Sequence, residues 1–469
     1  MKITRTKILI TVGPATLKSG VLDRILEYGV RLFRFNFKHN TVDWHKQAIQ
    51  KVRQAAGKYG VEPVIILDLQ GPSVRVVLNQ ETLEIHEGKT YDLVAGNPKS
   101  GQISITYPEQ IEKIPTDKLV YMDNGRLKFK LVRKGEKTYL YALNSGELKP
   151  NVSFNVQNFT FEDLPLLTKR DKIGVKLAPK WGVDYLAISF VRNAQDIRNV
   201  RELLKEHSAK VGIVSKLETL SAIHNIYEIL KESDVSMLGR GDLALEIPYY
   251  KVPVLQKEII ATSRQIGKPI IVATQMLESL THQPFPTRAE ISDVANAAFD
   301  KADSLMLSEE TAIGVDPANA VEVMYNIIRE VEASFIDVEY TSLVYEVSAD
   351  FAHIFAQVQR TIQNVCAAVL FLTDLYLLEQ VSRLRPKAPI FVVTKPNSTI
   401  ARKAWLFYGV KGVHNAPLVT GESKTPYVEF ILEQLARLKV CKPQSSVLVL
   451  FDTEFPHKKA AYDLQLISV

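Results

Sequence analysis

Cysteine is nearly absent from this sequence. Cys366 and Cys441 are the only two in 469 residues, and neither falls in a metal-ligand spacing, so no disulfide framework is expected and the usage fits a reducing, cytoplasmic setting. No apolar run approaches about twenty residues, which argues against a transmembrane helix. The N-terminal MKITRTKILITVGPAT has a basic start and a short apolar run. ILITV is nevertheless too short for the core of a signal peptide and runs into Gly13-Pro14, so it reads as a buried strand. Basic blocks, zinc-finger spacings and interleaved basic-aromatic tracts are missing, and the net charge of +6 comes from scattered Lys and Arg. Nucleic acid is therefore not an expected partner, whereas small anionic substrates are compatible with this balance. No glycine-rich dinucleotide fingerprint follows the first apolar run, which disfavours an open doubly wound sheet. Internal repeats and low-complexity tracts are absent.

What is present is a rhythm. Apolar content of 46% and charged content of 23% suit a soluble chain of two to four domains. Eight short apolar runs, each ending in polar residues or Gly, occur at 7–16, 31–39, 64–72, 184–192, 211–218, 235–242, 269–276 and 304–311. Segments of helical periodicity, such as 193–207 and 220–233, separate most of them. Eight strands alternating with helices predict an α/β fold, a (β/α)8 TIM barrel. Between about Gly71 and Pro165 the pattern shifts to short strand-like pieces, with Asp123-Asn124-Gly125 as a hairpin turn. This reads as a small β-barrel-like lid domain inserted after the third barrel strand. Beyond about residue 345, a helical stretch leads to AAVLFLT, PIFVVTK and SSVLVLF, which predict a small α/β domain. The expected division is 1–70 with 166–344 for the barrel, 71–165 for the lid and 345–469 for the C-terminal domain.

The stretch RLFRFNFKHN (31–40) alternates Phe33, Phe35 and Phe37 with Arg34, Asn36 and Lys38. On a strand this packs the aromatics outward and aims the polar set at the barrel mouth. Barrel chemistry sits at the C-terminal strand ends. Those ends supply Arg34, Asn36, Lys38, Asp68, Gln70, Ser189, Arg192, Lys216, Glu218, Arg240, Asp242, Thr274, Gln275, Ser308 and Glu310. Taken singly, each such residue reads as a surface charge or ion pair; together they would be costly to bury without a ligand. Lys216 and Glu218 lie two apart and share a side, and Asp242 ends the next strand. Two carboxylates on adjacent strand ends suit a hard divalent cation that keeps sites for water and substrate oxygens. Positioned charge of this kind serves phosphoryl transfer or enolate stabilisation.

In order along the chain, KILITVGPAT, GVRLFRFNFKHN, LDLQGPSVR, SFVR, SKLE, GRGDLALEIP, GKPIIVATQMLES, PTRAEISDVANA and MLSEETAIG resemble the signature segments of pyruvate kinases. The likeness spans the barrel, is most specific over 267–317, and extends more weakly to the lid and to VSRLRPKAPIFVVT. It implies the glycolytic transfer of a phosphoryl group from phosphoenolpyruvate to ADP, giving pyruvate and ATP, in a cytoplasmic homotetramer with no membrane partner. By motif match, Glu218 and Asp242 would ligate Mg²⁺ (or Mn²⁺). Lys216 would stabilise the enolate oxygen and the transferring phosphoryl group, and Arg34 would grip the latter. The backbone N–H groups of Gly241 and Asp242 would receive the substrate carboxylate, with Thr274 near the methylene carbon that is protonated. Asn36, His39, Arg75 and Arg170 would lie toward the nucleotide phosphates.

The chain departs from that family at four places. Lys38 stands where a K⁺-binding Ser is usual, Leu69-Gln70 where Thr-Lys is usual, Ser73 for Glu, and Glu309 for Gly. Asn36 and Asp68 belong to the monovalent-cation site, so the Lys38 ammonium is expected to occupy the K⁺ position and meet their oxygens, leaving K⁺ unrequired. The competing reading has Lys38 pointing to solvent beside a decayed site. Thr373-Asp374-Leu375-Tyr376-Leu377-Leu378 replaces the small-residue loop that holds sugar phosphates in regulated members, so no activation by fructose bisphosphate is expected. A non-catalytic paralogue with a binding or regulatory role, and a related metal-dependent lyase, are the alternatives.

Overall fold

Each of the eight apolar runs forms a strand in the computed structural model, which describes residues 3–207, 210–334, 343–396, 398–417, 423–455 and 462–469. The strands are Lys7–Thr11, Leu32–Asn36, Val64–Asp68, Tyr185–Ile188, Gly212–Leu217, Val235–Gly239, Ile270–Ala273 and Ser304–Leu307. They pair in parallel and close into a barrel in which the first strand meets both the second and the last. Burial on both faces explains why they read as continuous apolar runs. Leu9, Leu32, Val64, Ile66, Met237 and Ile271 fill the interior. Phe33, Phe35 and Phe37 are fully buried in the shell between strands and helices, so Arg34 and Asn36 are left on the inner side.

Several helices begin where side chains satisfy the first free N–H groups. Thr41 caps Val42–Lys58, and Thr168 with Asp171 and Thr287 with Glu290 form capping boxes.

The insertion after Asp68 has its own core, including Val120, Phe129, Leu131, Leu140 and Phe154. Its main sheet is antiparallel, with the order Phe154–Val156, Leu119–Met122, Leu127–Lys134, Lys137–Ala142, Thr90–Leu93. Two smaller two-stranded pairs complete it, and bridges from Arg75 to Ser153 and from Leu93 to Ile103 join the pair Val76–Val77 with Ser104–Ile105 to both ends of the main sheet, giving the barrel-like closure expected. Asn124 and Gly125 both take positive φ (53° and 87°) at the tip of the hairpin between 119–122 and 127–134, as a tight turn of that hand requires.

The C-terminal region forms a five-stranded sheet in the order Val410–Asn415, Ile390–Thr394, Ala367–Leu372, Ser446–Phe451, Asp463–Ser468. The three central strands are the three apolar runs visible in sequence. The two edge strands are half-exposed and carry polar residues or Gly412, which hides them from a search for apolar runs. This domain docks on the N-terminal ends of the barrel strands through ion pairs to two buried aspartates. Arg385 reaches Asp303 with both guanidinium nitrogens (2.9 and 2.6 Å), and Arg402 Nε reaches Asp184 (2.8 Å). Each aspartate also accepts a backbone N–H from a neighbouring barrel strand, Ile270 and Ile65 respectively, so docking and strand alignment share the same carboxylates.

The expectation from cysteine usage is overturned here. Cys366 and Cys441 form a disulfide across 75 residues of sequence, with Cα atoms 5.4 Å apart. Cys366 immediately precedes the central strand Ala367–Leu372, and Cys441 precedes the parallel neighbour Ser446–Phe451, so only the sheet pairing brings them together. The compartment argument drawn from their scarcity therefore lapses. A loop of this length contributes about 2–4 kcal/mol. Reduction, or Cys441→Ser, is expected to lower the unfolding midpoint of the C-terminal domain while leaving the barrel transition unchanged, as read by calorimetry with and without reductant.

Candidate active site

The polar side chains that the barrel strands aim inward meet at the C-terminal mouth. Arg34 donates from Nε to Asp68 Oδ2 (2.7 Å) and from Nη1 to Thr11 Oγ1 (2.9 Å). Lys216 Nζ lies 2.9 Å from Glu218 Oε1 and 3.4 Å from Asp68 Oδ1, and donates to Ser189 Oγ at 2.7 Å. Arg34, Asp68, Glu218 and Ser189 are each less than a tenth exposed. Gly239, at the end of the neighbouring strand, leaves room for Glu218: an added Cβ would fall 2.5 Å from its Cγ.

The electrostatics follow from counting charges. Burial pushes the Asp68 carboxyl up, but Lys216 and Arg34 outweigh it and hold the group below its ordinary value. Burial likewise opposes the Lys216 ammonium, and Asp68 with Glu218 overcomes it, so its pKa rises. Glu218 differs because it shares a single cation. Burial raises its pKa, Lys216 opposes this, and the nearby Asp242 carboxylate adds to the rise. Two buried cations thus face three carboxylates.

A divalent cation fits this donor set. It would relieve the repulsion between Glu218 and Asp242 and restore Glu218 to its ionised form. Asp68 Oδ1 is instead engaged by the Lys216 ammonium. Among the described residues no group of three or more His, Cys, Asp or Glu is assembled to hold a metal. Glu218 and Asp242 alone would leave such a cation sites for water and substrate oxygens, as Mg²⁺ commonly keeps.

Thr274 and Gln275 follow the strand Ile270–Ala273 with φ of +70° and +53°. For a β-branched residue this backbone is strained. Its consequence is positional: Thr274 Oγ1 accepts from Gly241 N–H (2.9 Å) and donates to Ala273 O (2.6 Å). The Gly241 N–H expected to receive a substrate carboxylate is thus held by Thr274 in this conformation. Arg240, read from sequence as part of the converging ring, turns away from the mouth. It is buried and bonds Thr274 O (2.7 Å) and Asp293 (2.7 Å), bracing the strained turn. Arg192 is drawn instead to Asp196 and to Leu164 O at the lid's root, and Glu310 accepts from Leu277 and Ser308 N–H groups. These three belong to the scaffold.

On the lid side, Arg75 donates to Ser73 Oγ (3.1 Å), one of the departures from the family pattern, and faces Asp242. Arg170 stacks on Phe37 and donates to the carbonyls of Phe37, His39 and Asn40, clamping that turn. His39 is exposed, and its pKa is lowered by desolvation, then by Lys38 and Arg34, with Glu309 opposing.

Lys38 departs from expectation in its contacts. Asn36 Oδ1 accepts from the Lys38 backbone N–H (3.2 Å), not from its ammonium, and Asp68 is taken by Arg34 and Lys216. The ammonium has no hydrogen bond or ion pair among the described residues. Lys38 is exposed at the rim, yet desolvation and Arg75 lower its pKa, while Asp242 and Asp68 pull the other way. It points into the field of the site without ligating it, because Arg34 and Lys216 reach the oxygens first.

Asp171 escaped the sequence reading. Fully buried, it accepts from the N–H groups of Gln70 (2.7 Å) and Gly71 (3.1 Å), fixing the chain where it leaves the barrel for the lid. Its signal was the Thr168-x-x-Asp171 capping box.

Comparisons with known proteins agree with this geometry. Residues 3–321 match the family model for the pyruvate kinase barrel domain. Pyruvate kinase of Bacillus licheniformis is 37% identical over 419 residues, covering 87% of this chain and 71% of that protein. Pyruvate kinase 2 of Synechocystis is 35% identical over 422 residues, covering 87% and 70%. Pyruvate kinase of Geobacillus stearothermophilus is 34% identical over 424 residues, covering 87% and 71%. By barrel, by the residues gathered at its mouth and by these relatives, the chain belongs to the pyruvate kinase family.

Proposed function

We propose that this chain is an active pyruvate kinase, moving the phosphoryl group of phosphoenolpyruvate to ADP with Mg²⁺ (or Mn²⁺) as cofactor. The observation that carries the reading is the buried Arg34–Asp68–Lys216–Glu218 network, whose carboxylates outnumber its cations once Asp242 is included. In this reaction the bond from phosphorus to the enol oxygen breaks and a bond to an ADP oxygen forms. Charge shifts between oxygens with little covalent work for the protein, so fixed charge does most of the catalysis. Lys216, held by two carboxylates, lies where enolate charge develops. Arg34, locked by Asp68 and Thr11, presents its remaining N–H groups to the phosphoryl oxygens. Glu218 and Asp242 would hold the cation, which when bound neutralises phosphoryl and substrate oxygens. The Gly241 and Asp242 N–H groups would take the substrate carboxylate once Thr274 releases Gly241. Thr274 would then stand beside the methylene carbon that is protonated through water. Asn36, His39, Arg75 and Arg170 line the approach for the nucleotide.

The same reading gives little dependence on K⁺. The Lys38 ammonium supplies a tethered positive charge near Asp68 and Asp242 through space, in place of a ligated ion. A homotetramer and a cytoplasmic setting go with the proposal. Tyr249, Tyr250 and Phe285, each more than two-thirds exposed, supply apolar surface for self-association. Among the described residues no helix is long and apolar enough to cross a membrane.

Four measurements test these points. A coupled assay is expected to detect pyruvate formation from phosphoenolpyruvate and ADP. Lys216→Met should lower kcat by about 100-fold or more with the fold retained by circular dichroism; unchanged turnover would refute the assignment. Replacing K⁺ with a tetraalkylammonium salt should leave the wild-type rate nearly unchanged, whereas strong K⁺ activation overturns the role given to Lys38. Fructose bisphosphate should leave the apparent substrate constant unaltered. Thr373 N–H and hydroxyl are already bonded to Asp452, and the Asp374 carboxyl is raised by burial and by its neighbours Asp452 and Glu454. A clear drop in that constant would count against this.

A further inference from the structure

The seven-residue helix Arg240–Glu246 carries Asp242 in its first turn and Glu246 at its end. Four residues apart, they share one face, and both line a cleft between barrel and lid. Glu246 is a buried carboxyl that the chemistry above does not use. Its Oε2 accepts from Leu220 N–H and from the Thr160 hydroxyl, both at 2.8 Å, and its carbonyl accepts from Asn158 N–H at 2.6 Å. Thr160 and Asn158 lie on the segment by which the chain returns from the lid to the barrel, and Thr160 also accepts from Ser221 N–H. The lid's hairpin tip rests on the same helix: a Cβ on Gly125 would lie 3.2 Å from Leu245 Cδ2. The lid thus sits, through its tip and its return segment, on the helix that carries Asp242.

We propose that Glu246 is a positioning residue that fixes the lid's return segment to this helix, so that lid placement and the position of Asp242 are set together. The inference rests on the reading of Asp242 as a cation ligand in a pyruvate kinase site. Burial pushes the Glu246 carboxyl up to about 8, with Leu220 N–H and Thr160 opposing and Asp242 and Glu162 adding to the rise. A carboxyl that takes up a proton this readily tolerates a neutral amide, so Glu246→Gln should preserve the seat.

The test is Mn²⁺ binding by the full-length chain without substrates, read by water-proton relaxation. Thr160→Val, which leaves the helix untouched, and Glu246→Ala should each weaken binding by about fivefold, the scale of one hydrogen bond. Their combination should be no weaker than Glu246→Ala alone, and Glu246→Gln should stay near wild type. Hydrogen exchange in the lid strand Leu127–Lys134 should rise in Thr160→Val. Unchanged Mn²⁺ binding in Thr160→Val, additive losses in the double variant, or no Mn²⁺ binding by the wild type overturns the proposal. If Glu246→Ala fails to fold, Thr160→Val decides alone. Coupled losses of Mn²⁺ binding in the variants, beside a wild-type chain that binds Mn²⁺ but shows no kinase turnover, would refute the proposed function and leave this inference standing. Kinase turnover with an unaffected Thr160→Val does the reverse.

Discussion

The ammonium of Lys216, held between Asp68 and Glu218 in a nearly closed barrel mouth, is the interaction on which the rest of the site depends. Removing a charged group from water is costly, and partners repay the cost only when their geometry is good. Asp68 meets that condition because Arg34 supplies a second cation, which is why its carboxyl remains acidic. Glu218 does not, because it shares one cation and faces Asp242. The asymmetry makes one carboxylate a settled structural partner and leaves the other short of positive charge. The proposed divalent cation would complete this network.

Around it the scaffold spends charged residues on positioning. Arg240 is buried to brace the left-handed turn that presents Thr274. Asp171 holds the outgoing strand to the lid, and Glu246 holds the returning one. Asp171 does so by accepting the N–H groups of Gln70 and Gly71, and Glu246 by accepting the Thr160 hydroxyl together with Leu220 N–H of the barrel. At the opposite end of the barrel, Asp184 and Asp303 combine strand capping with docking of the C-terminal domain. The disulfide lies beyond that seam, inside the C-terminal sheet, so its state bears on that domain rather than on the site.

Lys38 shows how a family departure can be read correctly in place and incorrectly in contact. Alternation along RLFRFNFKHN located Arg34 and Asn36 on the inner side and the three phenylalanines on the outer. Past Asn36, however, the strand ends and the chain turns. From that turn the ammonium reaches the field of Asp68 and Asp242 but not their oxygens, those of Asp68 being held by Arg34 and Lys216.

The eight strands, the central C-terminal strands, the Asn124-Gly125 turn and the membership of the Arg34, Asp68, Lys216, Glu218 and Asp242 cluster were all legible in the sequence. Burial on two faces writes continuous apolar runs, and barrel closure sends consecutive strand ends to one place. Strand-end position could not separate Lys216 from Arg240 or Glu310, since side-chain direction at a strand end depends on the turn that follows. Nor could it reveal the Cys366–Cys441 pairing, the role of Asp171 or the two edge strands. Those rest on contacts between residues far apart in the chain, and local patterning carries no record of such distances. Residue types and their period set which groups would be available; only the closed barrel, the seated lid and the docked sheet decided which of them touch.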